Sequence, residues 1–302
     1  MLACMGSFTL DDVLAVRKPR DSWWTVFLVD PIACRLALLV ANHTSITPNG
    51  LTRLSMVLGL TSAVCFAQEL LIAGAVLFFV SFTVDCMDGK IARLKGNGTP
   101  FGLWLDYVGD RIRVLCCAFG IASALYARTG DLVYVVAGAA IVVLDLFRYI
   151  NGPQLKRVRD STRAAARESA GAECVFMDEL LGAAPGSSTE QVRRDFERVG
   201  DEDGRALVDL QRGFRAQFPW YDRVRMFLVA HRVRSHVISG IEFHAAVFVI
   251  GPVLGAVGWL WSSAVTGALL LAFECVLVYR AWLATREVTR AVPVREREKV
   301  LV

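Results

Sequence analysis

The chain has 302 residues, of which 55% are hydrophobic, and its mean hydropathy is +0.46. This content is too apolar for an ordinary soluble domain and favours an integral membrane protein. The net charge of +4 is small and the basic residues are scattered. That excludes a nucleic-acid-binding surface and suits a protein that faces anionic lipid headgroups. The eight cysteines lack any C-x-x-C spacing and are interpreted as small apolar residues.

Residues 1–46 are predicted to be a cytosolic N-terminus followed by an interfacial helix. The first 22 residues are mostly polar, and the stretch from Trp23 to Ala41 is apolar but contains Asp30-Pro31 and Arg35. Paired tryptophans at its start and charges within it are typical of a helix lying in the membrane interface. A seventh membrane span is the alternative interpretation.

Six later apolar segments have roughly the length of about 20 residues that a bilayer requires. We therefore predict an all-α integral membrane protein with six transmembrane helices, whose membrane domain comprises residues 47–150 and 235–284. The predicted spans are 51–68, 70–84, 102–127, 132–150, 237–258 and 260–283.

A hydrophilic segment at 151–234 separates the fourth and fifth predicted spans, and a charged tail follows at 285–302. The segment contains helix-like stretches and a Gly-Pro-Ser link, so we predict a cytosolic helical insert. It would be a solvated elaboration, or alternatively a lid over the site, a partner surface or a headgroup selector. Lys and Arg concentrate in the N-terminus, the 93–101 loop, the insert and the tail, which predicts that both termini are cytoplasmic.

Four carboxylates lie between residues 85 and 110, in the stretch DCMDGKIARLKGNGTPFGLWLDYVGD. Asp85 and Asp88 are three residues apart, and Asp106 and Asp110 are four apart, so each pair lies on one face of a helix. Apolar sequence surrounds both pairs, and so many like charges there require a neutralising cation. Oxygen ligands favour Mg²⁺, or Mn²⁺ in its place, in a site for one or two ions. The alternative is a pair of solvated helix ends.

The same stretch matches the pattern D-x-x-D-G-x-x-A-R-x8-G-x-x-x-D-x-x-x-D at every specified position. This pattern is the signature of the CDP-alcohol phosphotransferase family of membrane enzymes, which the chain therefore resembles. Eight specified residues at fixed spacing make a strong signal. The aspartate-rich motif of intramembrane prenyltransferases, the nearest alternative, predicts neither the glycines nor the Ala-Arg pair. The eight positions are Asp85, Asp88, Gly89, Ala92, Arg93, Gly102, Asp106 and Asp110.

The resemblance implies transfer of a phospho-alcohol from a CDP-alcohol donor to a hydroxyl acceptor, with release of CMP, in phospholipid biosynthesis. CDP-diacylglycerol is the expected donor; a soluble CDP-polyol and a non-catalytic membrane scaffold are the alternatives. A homodimer in the cytoplasmic membrane, with the active site facing the cytoplasm, is also expected. Several arginines near the motif would suit an anionic acceptor, although membrane topology also explains them: Arg53, Arg111, Arg113 and Arg148.

The resemblance also implies roles for individual residues. Two magnesium ions are expected, held by Asp85, Asp88 and Asp106, with Asp110 either sharing in that shell or acting as the general base. Small residues and one arginine would bind the CDP moiety, because they allow the backbone to approach a nucleotide and supply a phosphate partner. The expected CDP-binding positions are Gly89, Ala92, Arg93 and Gly102, with Asn49 and Thr52 as weaker candidates.

Overall fold

The computed structural model describes residues 7–170, 174–177, 206–234 and 237–291. The chain divides into two compact units. The first comprises Met1–Phe147 and Val237–Leu271, and the second comprises Arg148–His236 and Ala272–Val302. The breaks near 148 and 236 are close to the predicted limits of the insert. The last helix is divided at Ala272, so its end groups with the insert rather than with the membrane domain.

Helices account for nearly all of the described secondary structure. In chain order they are α1 (Leu10–Ala15), a π-helical turn (Thr25–Val29) that continues into α2 (Asp30–His43), α3 (Pro48–Ala67), α4 (Leu71–Lys95), α5 (Pro100–Thr129) and α6 (Val133–Ala170). Strands β1 (Cys174–Phe176) and β2 (Ala206–Val208) follow, then α7 (Arg212–Gln217), α8 (Trp220–Ala230), α9 (Gly240–Ala245), a second π-helical turn (Ala246–Ile250), α10 (Gly251–Val253) and α11 (Gly255–Ala291).

Local sequence signals explain where the helices of the motif begin and end. Thr47 precedes α3 and Thr99 precedes α5; each hydroxyl accepts from a backbone N–H of the first turn, and a proline follows as the first helical residue. Gly96 ends α4 in the left-handed region, with φ of 62°, where a glycine avoids steric strain. The loop between the two halves of the motif is therefore only Gly96–Thr99.

Within the described part of the chain, five helices are long and apolar enough to cross a membrane, which fits the predicted all-α membrane class. They are Thr25–His43, Pro48–Ala67, Leu71–Lys95, Val133–Glu168 and Gly255–Val288. Helix α5, whose first half carries the second acidic pair and two arginines, is not among them. The fifth predicted span corresponds to a shorter apolar helix, Gly240–Val253. The Thr25–His43 helix satisfies the requirements for a span, which favours the alternative to an interfacial helix; the count of six stays a prediction.

The first unit contains two apolar clusters. The larger one joins side chains of α3, α5, α6 and the helices after Gly240, with Phe66, Ile121 and Trp259 fully buried. There α3 and α5 approach so closely that a Cβ on Gly120 would lie 2.6 Å from the carbonyl oxygen of Ala63. The smaller cluster packs α1, α2 and the motif end of α4 together. It consists of Val13, Trp24, Val29, Ala33, Cys34, Ala37, Leu51, Met87, Ile91 and Ala245.

The second unit has a small core of its own, formed by Ala166, Phe176, Leu210 and Val288. Strands β1 and β2 pair in parallel, with Val175 opposite Leu207. The triplets lie in the two helix-like stretches of the predicted insert, 160–182 and 189–218, so the prediction of helix was wrong at these residues. Each triplet is short and rich in apolar or β-branched residues, so helical periodicity was a weak guide there. The remainder of the predicted insert helices lies outside the described residues.

Candidate metal centre and donor site

Three of the four motif carboxylates converge. Asp85 and Asp88 extend from α4 and Asp106 from α5, and one oxygen of each lies within 4.8 Å of the others. Both helices pack against α3, and the spacing along each helix places its carboxylates on one face. Asp88 is buried and the other two are half-buried. This arrangement brings together the first three predicted metal ligands.

Two hydroxyl groups of α3 hold these carboxylates in place. The Ser55 hydroxyl donates to Asp85 Oδ1 at 3.0 Å, and the Thr52 hydroxyl donates to Asp88 Oδ2. Both hydroxyl side chains are buried. Hydrogen bonds of this kind orient ligand carboxylates and are part of a metal site's design. Thr52, predicted as a weak nucleotide-binding candidate, therefore contacts a predicted metal ligand; Ser55 was missed, although it lies one helical turn further along the same face.

Asp110 lies outside the convergent triplet and is paired with arginines instead. Its Oδ1 accepts from the Arg113 guanidinium, and its Oδ2 is 3.7 Å from Arg111. Arg113 is buried, donates to the Ser81 hydroxyl at 3.1 Å and lies 3.7 Å from Asp85 Oδ1. Arg113 thus bridges Asp110 to the carboxylate triplet. The predicted role of Asp110 as a metal ligand stays a prediction.

A second buried group of charges continues from Arg111. Asp145 of α6 accepts from Arg111 through one oxygen, and its other oxygen lies 2.7 Å from His244 Nε2. Only 4% of the Asp145 side chain is exposed. Sequence reasoning missed Asp145. A single acidic residue inside an apolar span was the signal available, because such residues are costly unless they have a partner.

Gly89, a predicted donor-binding position on α4, lies beside the side chain of Arg93. A Cβ on Gly89 would lie 3.4 Å from an Arg93 terminal nitrogen, so the guanidinium extends along the glycine. Arg93 Nε donates to the Val16 carbonyl oxygen at 2.7 Å. The segment after α1 therefore fixes the orientation of Arg93, a contact between residues 77 positions apart that sequence spacing did not indicate. Ala92, next to Arg93, is half-buried.

Gly102 is adjacent to another predicted donor-binding residue. A Cβ there would collide with Asn49 Oδ1 and lie 3.0 Å from Thr99 Oγ1. Asn49 Nδ2 in turn donates to the Thr99 hydroxyl at 3.4 Å. The glycine thus makes room for the Asn49 amide, and the two positions are brought together with the start of α5.

A buried ion pair supports the motif from the side of α2. Lys90 Nζ lies 2.8 Å from Asp30 Oδ1, and each side chain is only 6% exposed. Lys90 also donates to the Cys86 carbonyl oxygen at 3.1 Å. Lys90 occupies an unspecified position of the motif, so its role could not be predicted from the pattern.

The metal ligands offered by the three carboxylates fit a hard divalent cation. The three converging ligand atoms are all carboxylate oxygens, which Mg²⁺ and Mn²⁺ prefer over nitrogen or sulfur. Arg113 lies 3.7 Å from Asp85 Oδ1. Three carboxylates held this close together in a largely buried site are arranged as for a cation.

Comparisons with known proteins locate the same region. Residues 45–165 match the family model of the CDP-alcohol phosphatidyltransferases. The chain is 39% identical over 99 residues to a phosphatidylinositol phosphate synthase of Corynebacterium glutamicum, covering 32% of this chain and 40% of the relative. It is 37% identical over 78 residues to an archaetidylinositol phosphate synthase of Pyrococcus horikoshii, covering 26% and 41%.

A plant relative matches a shorter segment. The chain is 41% identical over 64 residues to CDP-diacylglycerol–inositol 3-phosphatidyltransferase 1 of Arabidopsis thaliana, covering 21% of this chain and 27% of the relative. The match spans less than half the length of each of these three relatives. All the motif residues and both supporting hydroxyls lie inside the region that the family model matches. The comparisons therefore identify residues 45–165 as the part of the chain that resembles a CDP-alcohol phosphatidyltransferase domain.

Proposed function

We propose that this protein transfers a phosphatidyl group from CDP-diacylglycerol to the hydroxyl of an acceptor alcohol and releases CMP, as a step of phospholipid synthesis. The observation that carries the proposal is the convergence of Asp85, Asp88 and Asp106 inside the matched domain. The apolar helices around the domain suit a lipid-linked donor better than a soluble one. The reaction would take place in the cytoplasmic membrane, with the site facing the cytoplasm.

The three carboxylates would hold one or two Mg²⁺ ions against the diphosphate of the donor. Such ions neutralise the charge that develops on the leaving CMP. The protein supplies the alignment: Ser55 and Thr52 orient two of the carboxylates, and the packing of α4 and α5 against α3 sets their separation. Arg93, held by the Val16 carbonyl, would contact a donor phosphate through its terminal nitrogens.

Asp110 would be the general base. The acceptor hydroxyl oxygen attacks the phosphorus that carries the diacylglycerol, the bond from that phosphorus to the CMP oxygen breaks, and the hydroxyl proton passes to an Asp110 oxygen. Asp110 suits this role because it lies one helical turn beyond Asp106 and is 29% exposed, more than the 13% of Asp85. Arg111 and Arg113 contact the carboxylate from two sides and hold its orientation.

An inositol phosphate is the acceptor to test first. One relative is named a phosphatidylinositol phosphate synthase, another an archaetidylinositol phosphate synthase, and the plant relative a CDP-diacylglycerol–inositol 3-phosphatidyltransferase. An anionic acceptor needs cationic partners, and Arg111 lies next to Asp110, with its other nitrogen contacting Asp145. Glycerol phosphate and other sugar phosphates have the same charge and belong in the same panel.

The test is CMP release by purified protein from CDP-diacylglycerol across a panel of acceptors, with and without Mg²⁺. We expect acceptor-dependent CMP release with an anionic polyol and little with water. If the protein is active with a soluble CDP-polyol and inactive with CDP-diacylglycerol, the donor in the proposal is wrong and a CDP-polyol takes its place. If CMP is not released from either donor with any acceptor, while the protein binds CDP, the proposed transfer is wrong and a scaffold role is favoured.

A further inference from the structure

Helix α8, in the second unit, presents an exposed apolar stripe. None of its 11 residues is buried. Trp220, Val224 and Phe227 are 59%, 42% and 65% exposed. Their spacing of four and three residues places them on one face of the helix. Large apolar side chains clustered in this way mark an interaction surface rather than a solvated face.

The other faces of α8 are occupied by contacts within the second unit. Tyr221 packs against Phe214, with ring centroids 5.1 Å apart, and its hydroxyl accepts from Arg280 at 2.9 Å. Asp222, the helix's acidic residue, lies 3.7 Å from Arg215 Nε. The exposed Arg223 flanks the apolar stripe. The apolar stripe is therefore flanked by the basic Arg223, and the acidic Asp222 lies on the opposite face, near Arg215.

The start of α8 contacts a part of helix α11 whose residues are typical of the membrane–water interface. After a long apolar run, α11 reaches its first basic residue at Arg280, which directly follows Tyr279 in sequence; the rings of Tyr279 and Trp282 stack on each other. Exposed Tyr and Trp next to the first arginine of an apolar helix are typical of the membrane–water interface. Arg280 contacts Tyr221 at the start of α8, and the Tyr279 hydroxyl donates to Gln217 just before α8. The first turn of α8 is thus held at this aromatic boundary.

From these contacts we infer that α8 is an in-plane membrane helix. Trp220, Val224 and Phe227 lie among the lipids at the interface, and Arg223 contacts anionic headgroups. An amphipathic helix with Trp and Phe on one face and arginine at its border has the composition of such helices. The inference concerns a lipid surface of the second unit and does not depend on the proposed transfer reaction.

The test measures the depth of single nitroxide labels in proteoliposomes. In a cysteine-free full-length chain, labels are introduced by Val224→Cys and Phe227→Cys, with Asp222→Cys as the control on the opposite face. Collision with oxygen reports lipid exposure, and collision with a nickel chelate reports water exposure. We expect the two stripe labels to favour oxygen and the control label to favour nickel. With phosphatidylglycerol in the vesicles, the stripe labels should lie deeper than in phosphatidylcholine alone, and salt should reduce the difference.

A second measurement covers the case in which the cysteine-free chain does not fold. In the otherwise native protein, Trp220→Phe should reduce the fraction of fluorescence quenched by brominated lipid, whereas Trp259→Phe, which removes a fully buried ring, should leave that fraction the same or higher. Stripe labels as accessible to nickel as the control, or no loss of quenching in Trp220→Phe, would overturn the inference. Spin–spin broadening between labels of different copies would also overturn it, because a second copy of the chain would then occupy this face.

Discussion

Replacing Asp110 with asparagine should separate base catalysis from metal binding. The variant keeps the size of the side chain and one carbonyl oxygen but removes the basicity, so turnover should fall by about two orders of magnitude or more. Asp110 is not among the three carboxylates that converge within 4.8 Å, so affinity for Mg²⁺ and donor should change little. Asp88→Asn removes a charge from the triplet itself and should weaken metal and donor binding together.

The structure also limits how much stability Asp110→Asn can remove. Arg113 loses its ion pair with Asp110 but keeps the Ser81 hydroxyl at 3.1 Å and Asp85 at 3.7 Å. Because Arg113 retains these two partners, the substitution should lower the free energy of unfolding by only about 1–3 kcal/mol, the scale of one lost charge-assisted hydrogen bond. That is less than the roughly 5–15 kcal/mol that stabilises a typical folded domain, so the variant should remain folded and its rate measurable.

The assay is single-turnover CMP release at saturating donor, with CDP affinity measured by calorimetry at several Mg²⁺ concentrations. Asp160→Asn, at an exposed position of α6, is the matched control and should leave both quantities unchanged. If Asp110→Asn weakens Mg²⁺ affinity as much as Asp88→Asn, with no separate loss of rate at saturating metal, then Asp110 is a ligand and the assignment of the base is wrong.

Removal of divalent metal by a chelator should abolish CMP release and Mg²⁺ or Mn²⁺ should restore it; full activity in excess chelator would contradict the metal centre. Gly59→Ala should slow turnover because the new Cβ would lie 2.5 Å from Arg113 Cδ and displace that side chain. The control Gly152→Ala, with no atom within 4 Å of its Cβ, should leave turnover unchanged. Equal rates in the two variants would show that turnover does not depend on the position of the Arg113 side chain. Lys90→Met should destabilise the protein by about 3 kcal/mol by leaving Asp30 buried without its cation, and adding Asp30→Asn should recover most of that loss in thermal unfolding. A double variant no more stable than the single one would refute the pairing argument.

The carboxylate triplet could be predicted because its information is local. Spacings of three and four residues place each pair of carboxylates on one helix face, and the short loop between α4 and α5 keeps both pairs near the same end of the two helices. The same reasoning predicted the long apolar helices, whose length and composition are properties of single segments. It failed at β1 and β2, where three residues are too few for a periodicity to be read.

The support around the site could not be predicted because it depends on pairing between distant segments. Lys90 meets Asp30 across 60 positions, Arg93 meets the Val16 carbonyl, and Asp145 meets Arg111 and His244. Each polar side chain was visible in the sequence, and a buried charge implies that some partner exists. The identity of the partner follows only from how the helices pack.

The Lys90–Asp30 pair also has a consequence for how the protein is made. Asp30 lies in the apolar Thr25–His43 helix, and an aspartate inside a membrane segment opposes insertion, by about 2.5–3.5 kcal/mol at the centre of a segment and by less toward its end. Its cation belongs to a helix synthesised about 60 residues later. The Thr25–His43 helix therefore acquires its full stability in the bilayer only after α4 arrives, so the biogenesis of the N-terminal helix is coupled to that of the helix bearing the motif.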